Sequence, residues 1–318
     1  MSSPASGFKG LLKRFPYAPD IYWRLLKRGS LDGRPRIQKM QRLLADWVSQ
    51  VRRADVLVQV DPKKVLMFST IPIWMKHSNL LACAFAGLGH EVTLAYLPKE
   101  DWFTEESEYQ IKLHNLILQE MFKSADGLFT PLSWYQYRQE TLLPEGLHRA
   151  IEAVCRRDYQ YTHQVEEVDE SDPFMAWRRK NNFAAGKAAL AWMQQHRPDV
   201  VLVPNGLILE FGVVYEVARY LDIPVVTYEF GEQLGRIWLA QNQPVMLQDT
   251  NAMWTSSKDL PFSEDAQGRI RELYASRMQA GLWQNFSRQW QLSQVSCDGR
   301  RSRWCSWIGR SQSPSIVW

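Results

Sequence analysis

Apolar and polar positions divide this chain into short continuous apolar runs and longer stretches with helical spacing. The run VLMFST at residues 65–70 reads as a strand covered on both faces, because its apolar residues follow one another without alternation. A loop follows, ending at Lys76, His77, Ser78 and Asn79, and then a helical run over 80–87 with Ser78 or Asn79 as its N-cap. Gly89 stops that helix, and a second strand is predicted over 92–97. The same alternation returns later, with a strand within RPDVVLVPNG (197–206), a crossover helix over 208–221 and a strand at 223–228. Strands alternating with helices imply a parallel sheet with right-handed crossovers.

Helical spacing dominates the remainder. Met40, Leu43, Leu44, Trp47 and Val51 line one face of a helix predicted over 38–53. Between the two α/β stretches the pattern predicts helices at 109–122, from Pro144 toward His163, and at 174–195. An acidic link with Glu166, Glu167, Asp169, Glu170 and Asp172 separates the last two; it reads as a solvated charge run rather than a metal site. A short strand at 251–254 and a long helix over 263–291 complete the pattern. The predicted architecture is α/β: a Rossmann-like parallel sheet with flanking helices, spanning 64–291 and carrying a helical insertion at about 101–196.

Composition adds two features at the ends. Residues 1–64 hold 14 Lys and Arg against 5 Asp and Glu, a net of +9 in a chain of net +4. Within this basic, mostly helical segment (1–63), Phe15, Tyr17, Ile21, Tyr22, Trp23, Leu25 and Leu26 alternate with Lys and Arg. That mixture suits either an arm packing its aromatics on the domain or the headgroup region of an anionic membrane. No nucleic-acid motif accompanies the charge. Residues 294–318 lack Leu, Ala, Lys and Glu but hold 4 Arg, 6 Ser, 3 Trp and two of the four cysteines. This irregular tail (292–318) reads either as a genuine Arg/Trp-rich tail or as translation out of the original frame. In the second case the natural protein continues into a further domain. The cysteines (Cys83, Cys155, Cys297, Cys305) form no CxxC pair. No apolar run is long enough to span a bilayer, and no secretory signal is present, so the expected location is the cytoplasm, with peripheral attachment to the inner membrane face as an option.

Three loops are expected at the carboxyl edge of the sheet, where open parallel sheets bind ligands. The first carries Lys76, His77, Ser78 and Asn79. The second carries Asn205 and Gly206, with Asn205 able to cap the next helix. The third carries Glu229, Gly231, Glu232 and Gln233, followed by Arg236. A His with several carboxylates around one crevice suits a general base that activates a hydroxyl. Each residue also has a structural reading: a hydrogen-bonding His, a turn, a loop tether. His90 reads as structural. GxGxxG, Walker, GxSxG and HExxH sequences are absent, so no cofactor or metal is expected.

The stretches His77-Ser78-Asn79 and Gly89-His90-Glu91-Val92-Thr93 resemble the N-terminal half of glycosyltransferases with the two-domain GT-B fold. So do residues 198–205 (PDVVLVPN) and 223–226 (IPVV). Residues 205–254, with EFGEQ and QNQPVMLQDTNAMW, are more particularly similar to bacterial capsular-polysaccharide-type transferases. The resemblance covers about 64–291 and is shared in part with sugar-nucleotide epimerases. It implies an acceptor-binding domain for a glycan or lipid-linked acceptor, with a nucleotide sugar held by a second domain that has no counterpart here. The role of base falls on His77, with Glu229 or Glu232 in reserve, and Lys76 stands where those enzymes have Gly. Lys76, Ser78, Asn79, Asn205, Gly206, Gln233 and Arg236 are the implied acceptor-binding residues. A non-catalytic acceptor- or membrane-binding subunit, or half of an epimerase, are the alternatives.

Overall fold

The apolar runs assemble into one six-stranded sheet in a computed structural model that describes residue 15 and residues 17–54, 61–137, 141–230 and 237–278. The strands are β1 (Lys64–Ser69), β2 (Glu91–Tyr96), β3 (Thr130–Ser133), β4 (Val200–Pro204), β5 (Val225–Phe230) and β6 (Ile237–Gln241). Their order is β3-β2-β1-β4-β5-β6, and every pairing among the first five is parallel. This is the Rossmann-like α/β arrangement that the alternating pattern predicts.

The helices are α1 (Ala18–Ile21, continued by a π-helical turn at Tyr22–Leu26), α2 (Pro35–Arg53), α3 (Pro72–Gly87), α4 (Glu108–Phe122), α5 (Glu145–His163), α6 (Pro173–His196), α7 (Leu209–Tyr220), α8 (Asn251–Ser257) and α9 (Glu264–Met278). Successive strand residues point to opposite faces, so β1 feeds two cores. Val65 and Met67 pack with Leu44 of α2, Met75 and Cys83 of α3 and Met121 of α4. Leu66 and Phe68 pack with Ile151 of α5, Ala189 of α6 and Val213 of α7. Helices therefore cover both faces, which is why residues 65–68 of β1 and 200–203 of β4 are continuously apolar.

Two compact units result. The first comprises the described residues up to Glu229 together with Leu239–Gln248. The second holds Phe230, Ile237, Trp238 and the described residues from Asp249 onward, and none of those whose burial is described is buried.

Three local expectations are corrected. Helix α3 begins at Pro72, so Lys76–Asn79 lie inside a helix rather than at the end of a loop, and neither Ser78 nor Asn79 is an N-cap. Pro72 presets the backbone for a first helical turn and lacks only a donor that would be orphaned there anyway. Residues 251–254 form part of α8, not a strand, and the Asn251 N–H donates to Asp249 Oδ1 at 2.8 Å; so short a run with three apolar residues does not by itself decide between the two. The insertion at about 101–196 is not wholly helical, because it contains β3. Pro131 hides that strand in sequence, although Pro is tolerated at the edge of a sheet, which is where β3 lies. The tail 292–318 lies outside the described residues.

Candidate functional site

The strand order reverses between β1 and β4, so their carboxyl ends diverge into helices on opposite faces and leave a crevice at the switch point. The backbone there is unusual. Ile71, between β1 and α3, has φ +51° and ψ 146°, a region a β-branched residue rarely enters. It is held by burial of its side chain and by its carbonyl accepting from the Met75 N–H at 3.0 Å. After β4, Asn205 (φ +58°) and Gly206 (φ +79°) make a left-handed turn. Asn205 Oδ1 accepts from the Leu207 N–H at 3.0 Å, so it closes this turn instead of capping α7, whose N-cap is Ile208. A Cβ on Gly206 would stand 2.4 Å from Thr227 Cγ2, which only glycine avoids.

Aromatic rings fill the base of the crevice. The Trp74 ring, in the first turn of α3, lies 5.7 Å from Phe211 of α7, 6.0 Å from Tyr228 of β5 and 6.2 Å from His77, all edge to face. Trp74 and His77 stay half-buried, whereas Lys76 is exposed. Burial, helped by the neighbouring Lys76 charge, lowers the His77 pKa to about 4, so its imidazole is neutral at physiological pH. Ser78 and Asn79 point inward and are fully buried. Ser78 Oγ and the Tyr228 hydroxyl share a hydrogen bond at 3.0 Å, and burial raises the Tyr228 pKa. Asn205 Nδ2 donates to Glu229 Oε2 at 3.5 Å, tying the turn after β4 to the end of β5, the strand to which Glu229 belongs rather than to the loop expected there. Lys76, His77, Asn205, Gly206 and Glu229 thus share the carboxyl edge; Glu232, Gln233 and Arg236 lie outside the described residues. His90 accepts from the Lys63 N–H through Nδ1 at 3.2 Å, the structural role its turn position suggested.

Below this edge lies a buried charge network that no motif announces. Arg178 of α6 and Asp158 of α5 are both 0% exposed, with Nε 3.1 Å from Oδ2. The guanidinium also donates to the Trp102 carbonyl and lies over the Trp177 ring at 4.6 Å. Lys99, just after β2, pairs with the buried Glu210 in the first turn of α7. Burial pushes the Asp158 carboxyl up to about 6 despite Arg178. Burial also pushes on Glu210, but Lys99 and Arg178 outweigh it and hold that carboxyl below its usual range. The sequence carried a signal: Arg178 interrupts the apolar face marked by Met175, Ala185 and Ala189, and Asp158 extends the buried face of Ile151, Val154 and Cys155. The acidic link is used structurally, with Glu170 pairing with Arg156 and Arg179 and Asp172 capping α6.

Glu106, in the loop after β2, accepts from the Glu100 N–H at 3.3 Å, and burial raises its pKa to about 7. A carboxyl whose folded pKa exceeds its unfolded value near 4.5 costs stability as pH rises from about 4.5 through 7. Glu106→Gln is therefore expected to leave the melting temperature unchanged at pH 4 and to raise it by roughly 2 °C at pH 8. Thermal denaturation at both pH values measures this, and an equal shift at both would refute the assignment.

A separate cleft of about 460 Å³ opens beside β3, lined by Tyr96, Gln119, Phe122, Lys123, Ser133 and Gln136 among others. None of the sequence-predicted residues lines it. The fold and this edge define an α/β protein with a Rossmann-like, mostly parallel sheet. No protein-family model matches the chain, and comparison with curated proteins returns no match.

Proposed function

We propose that the first unit is the acceptor-binding half of a GT-B-type glycosyltransferase, seating a glycan hydroxyl at the carboxyl edge near the β1/β4 switch point. The observation that supports this reading best is the half-buried Trp74 beside a neutral His77 at that edge. An indole face suits the apolar face of a sugar ring, and a neutral imidazole can accept a hydroxyl proton. In the reaction, the acceptor oxygen attacks the anomeric carbon of a nucleotide sugar held by a donor-binding module. The bond to the nucleotide diphosphate breaks with its electron pair leaving on the diphosphate oxygen, and the hydroxyl proton passes to His77. A base of pKa about 4 is adequate if transfer occurs late, because the attacking hydroxyl becomes strongly acidic as its new C–O bond forms. Glu229 is the reserve base within the described residues.

Calorimetric titration of the full chain with oligosaccharide acceptors tests the seat itself. Trp74→Ala is expected to weaken binding by about tenfold or more, roughly the worth of one well-buried aromatic contact. A circular-dichroism melt checks that the variant remains folded. Absence of any glycan binding by the wild-type chain would sink the proposal.

A further inference from the structure

We infer that the N-terminal segment forms a docking face for an anionic lipid surface, built on α1 and its π-helical continuation. One side of this segment is anchored in the domain. Trp23 is 5% exposed and packs with Leu31 and Ile117, while Asp20 pairs with Lys112 of α4 at 2.9 Å. The other side carries Ile21 and Leu25, 49% and 70% exposed, flanked by Phe15 at 63% and by Tyr17, which is 65% exposed and whose ring lies 5.5 Å from Lys112 Nζ.

Four large apolar side chains held in water by an anchored helix are costly unless something covers them. The charge around them identifies the occupant. Arg24 and Arg28 are exposed within the same segment, and Arg36 and Lys39 are exposed at the start of α2. Tyr and Leu among Arg and Lys match the bilayer interface, where rings and alkyl chains enter the headgroup–acyl boundary and cations meet anionic phosphates. A short stripe of this size gives reversible, salt-sensitive attachment rather than insertion. No helix among the described residues is long and apolar enough to cross a membrane. The inference needs no sugar and stands apart from the glycan-binding reading, which calorimetry tests separately.

Co-sedimentation of the full chain with vesicles of phosphatidylcholine containing phosphatidylglycerol provides the test, beside vesicles of phosphatidylcholine alone. The wild-type chain is expected to pellet with the anionic vesicles and to be released as salt rises. Ile21→Asp with Leu25→Asp should weaken binding by about tenfold or more, and Arg24→Glu with Arg28→Glu by a similar factor at low salt. All four substitutions are at exposed positions, so unchanged circular dichroism and melting temperature are expected. Three results would overturn the inference: no binding to anionic vesicles, equal binding by the Ile21/Leu25 variant, or a concentration-dependent dimer of the wild-type chain that the same variant abolishes without affecting vesicles.

Discussion

Replacing Arg178 with Leu is expected to destabilise the protein by about 3–5 kcal/mol at pH 8, the cost of leaving a buried carboxylate without its partner. Arg178 and Asp158 are both fully buried, so no water compensates the loss. Asp158 already titrates near 6, and removing the guanidinium pushes it higher. Its folded pKa then lies far above its unfolded value, so stability falls as pH rises between the two. The penalty should therefore shrink toward pH 5, where Asp158 becomes neutral on folding. Chemical denaturation at pH 5 and pH 8 measures both quantities. The double variant Arg178→Leu, Asp158→Leu should recover most of the loss, since apolar replacement of a buried pair is often neutral. A single-variant cost below about 1 kcal/mol at pH 8 would show that the pair is not buried as described.

His77→Ala is expected to slow sugar transfer by about 10²- to 10⁴-fold, the usual contribution of a positioned general base. Transfer is measured with a nucleotide sugar, an acceptor glycan and a donor-binding module supplied in trans or by fusion. Acceptor affinity should change far less, because the ring edge of His77 adds little to the seat beside Trp74. The pH profile supplies an independent readout. A base must be unprotonated, and His77 is lowered to about 4, so the rate should stay flat from pH 8 to 5 and fall only as pH nears 4. A limb near the ordinary imidazole value of about 6.5 would mean that His77 is not desolvated as the structure has it. Retention of the rate within tenfold would move the base role to Glu229.

The carboxyl edge was legible because strands and crossover helices leave strong local signals. Residues 65–68 of β1 and 200–203 of β4 are continuously apolar, and the sheet order places the two strands side by side. The contents of the edge were less so. Lys76–Asn79 look like loop residues in sequence, yet Pro72 starts the helix about two turns earlier than expected, and helical rotation then turns Ser78 and Asn79 inward while Trp74 and His77 stay half-exposed. Trp74 carries no signal of its own in the sequence, because a Trp near a strand end is ordinary core material. Its partners Phe211 and Tyr228 lie more than a hundred positions away and meet it only across the switch point.

By itself the sequence determined that this protein alternates strands with helices around a parallel sheet, and that its charge concentrates at the N-terminal end. Both follow from local composition and period, which act over a few residues. Only the tertiary structure decided that Lys99, Asp158, Arg178 and Glu210 form one buried network, that His77 is neutral, and that Tyr17, Ile21 and Leu25 face outward while Trp23 does not. Those properties depend on which distant segments exclude water from a side chain, and solvent exclusion is a property of the assembled core.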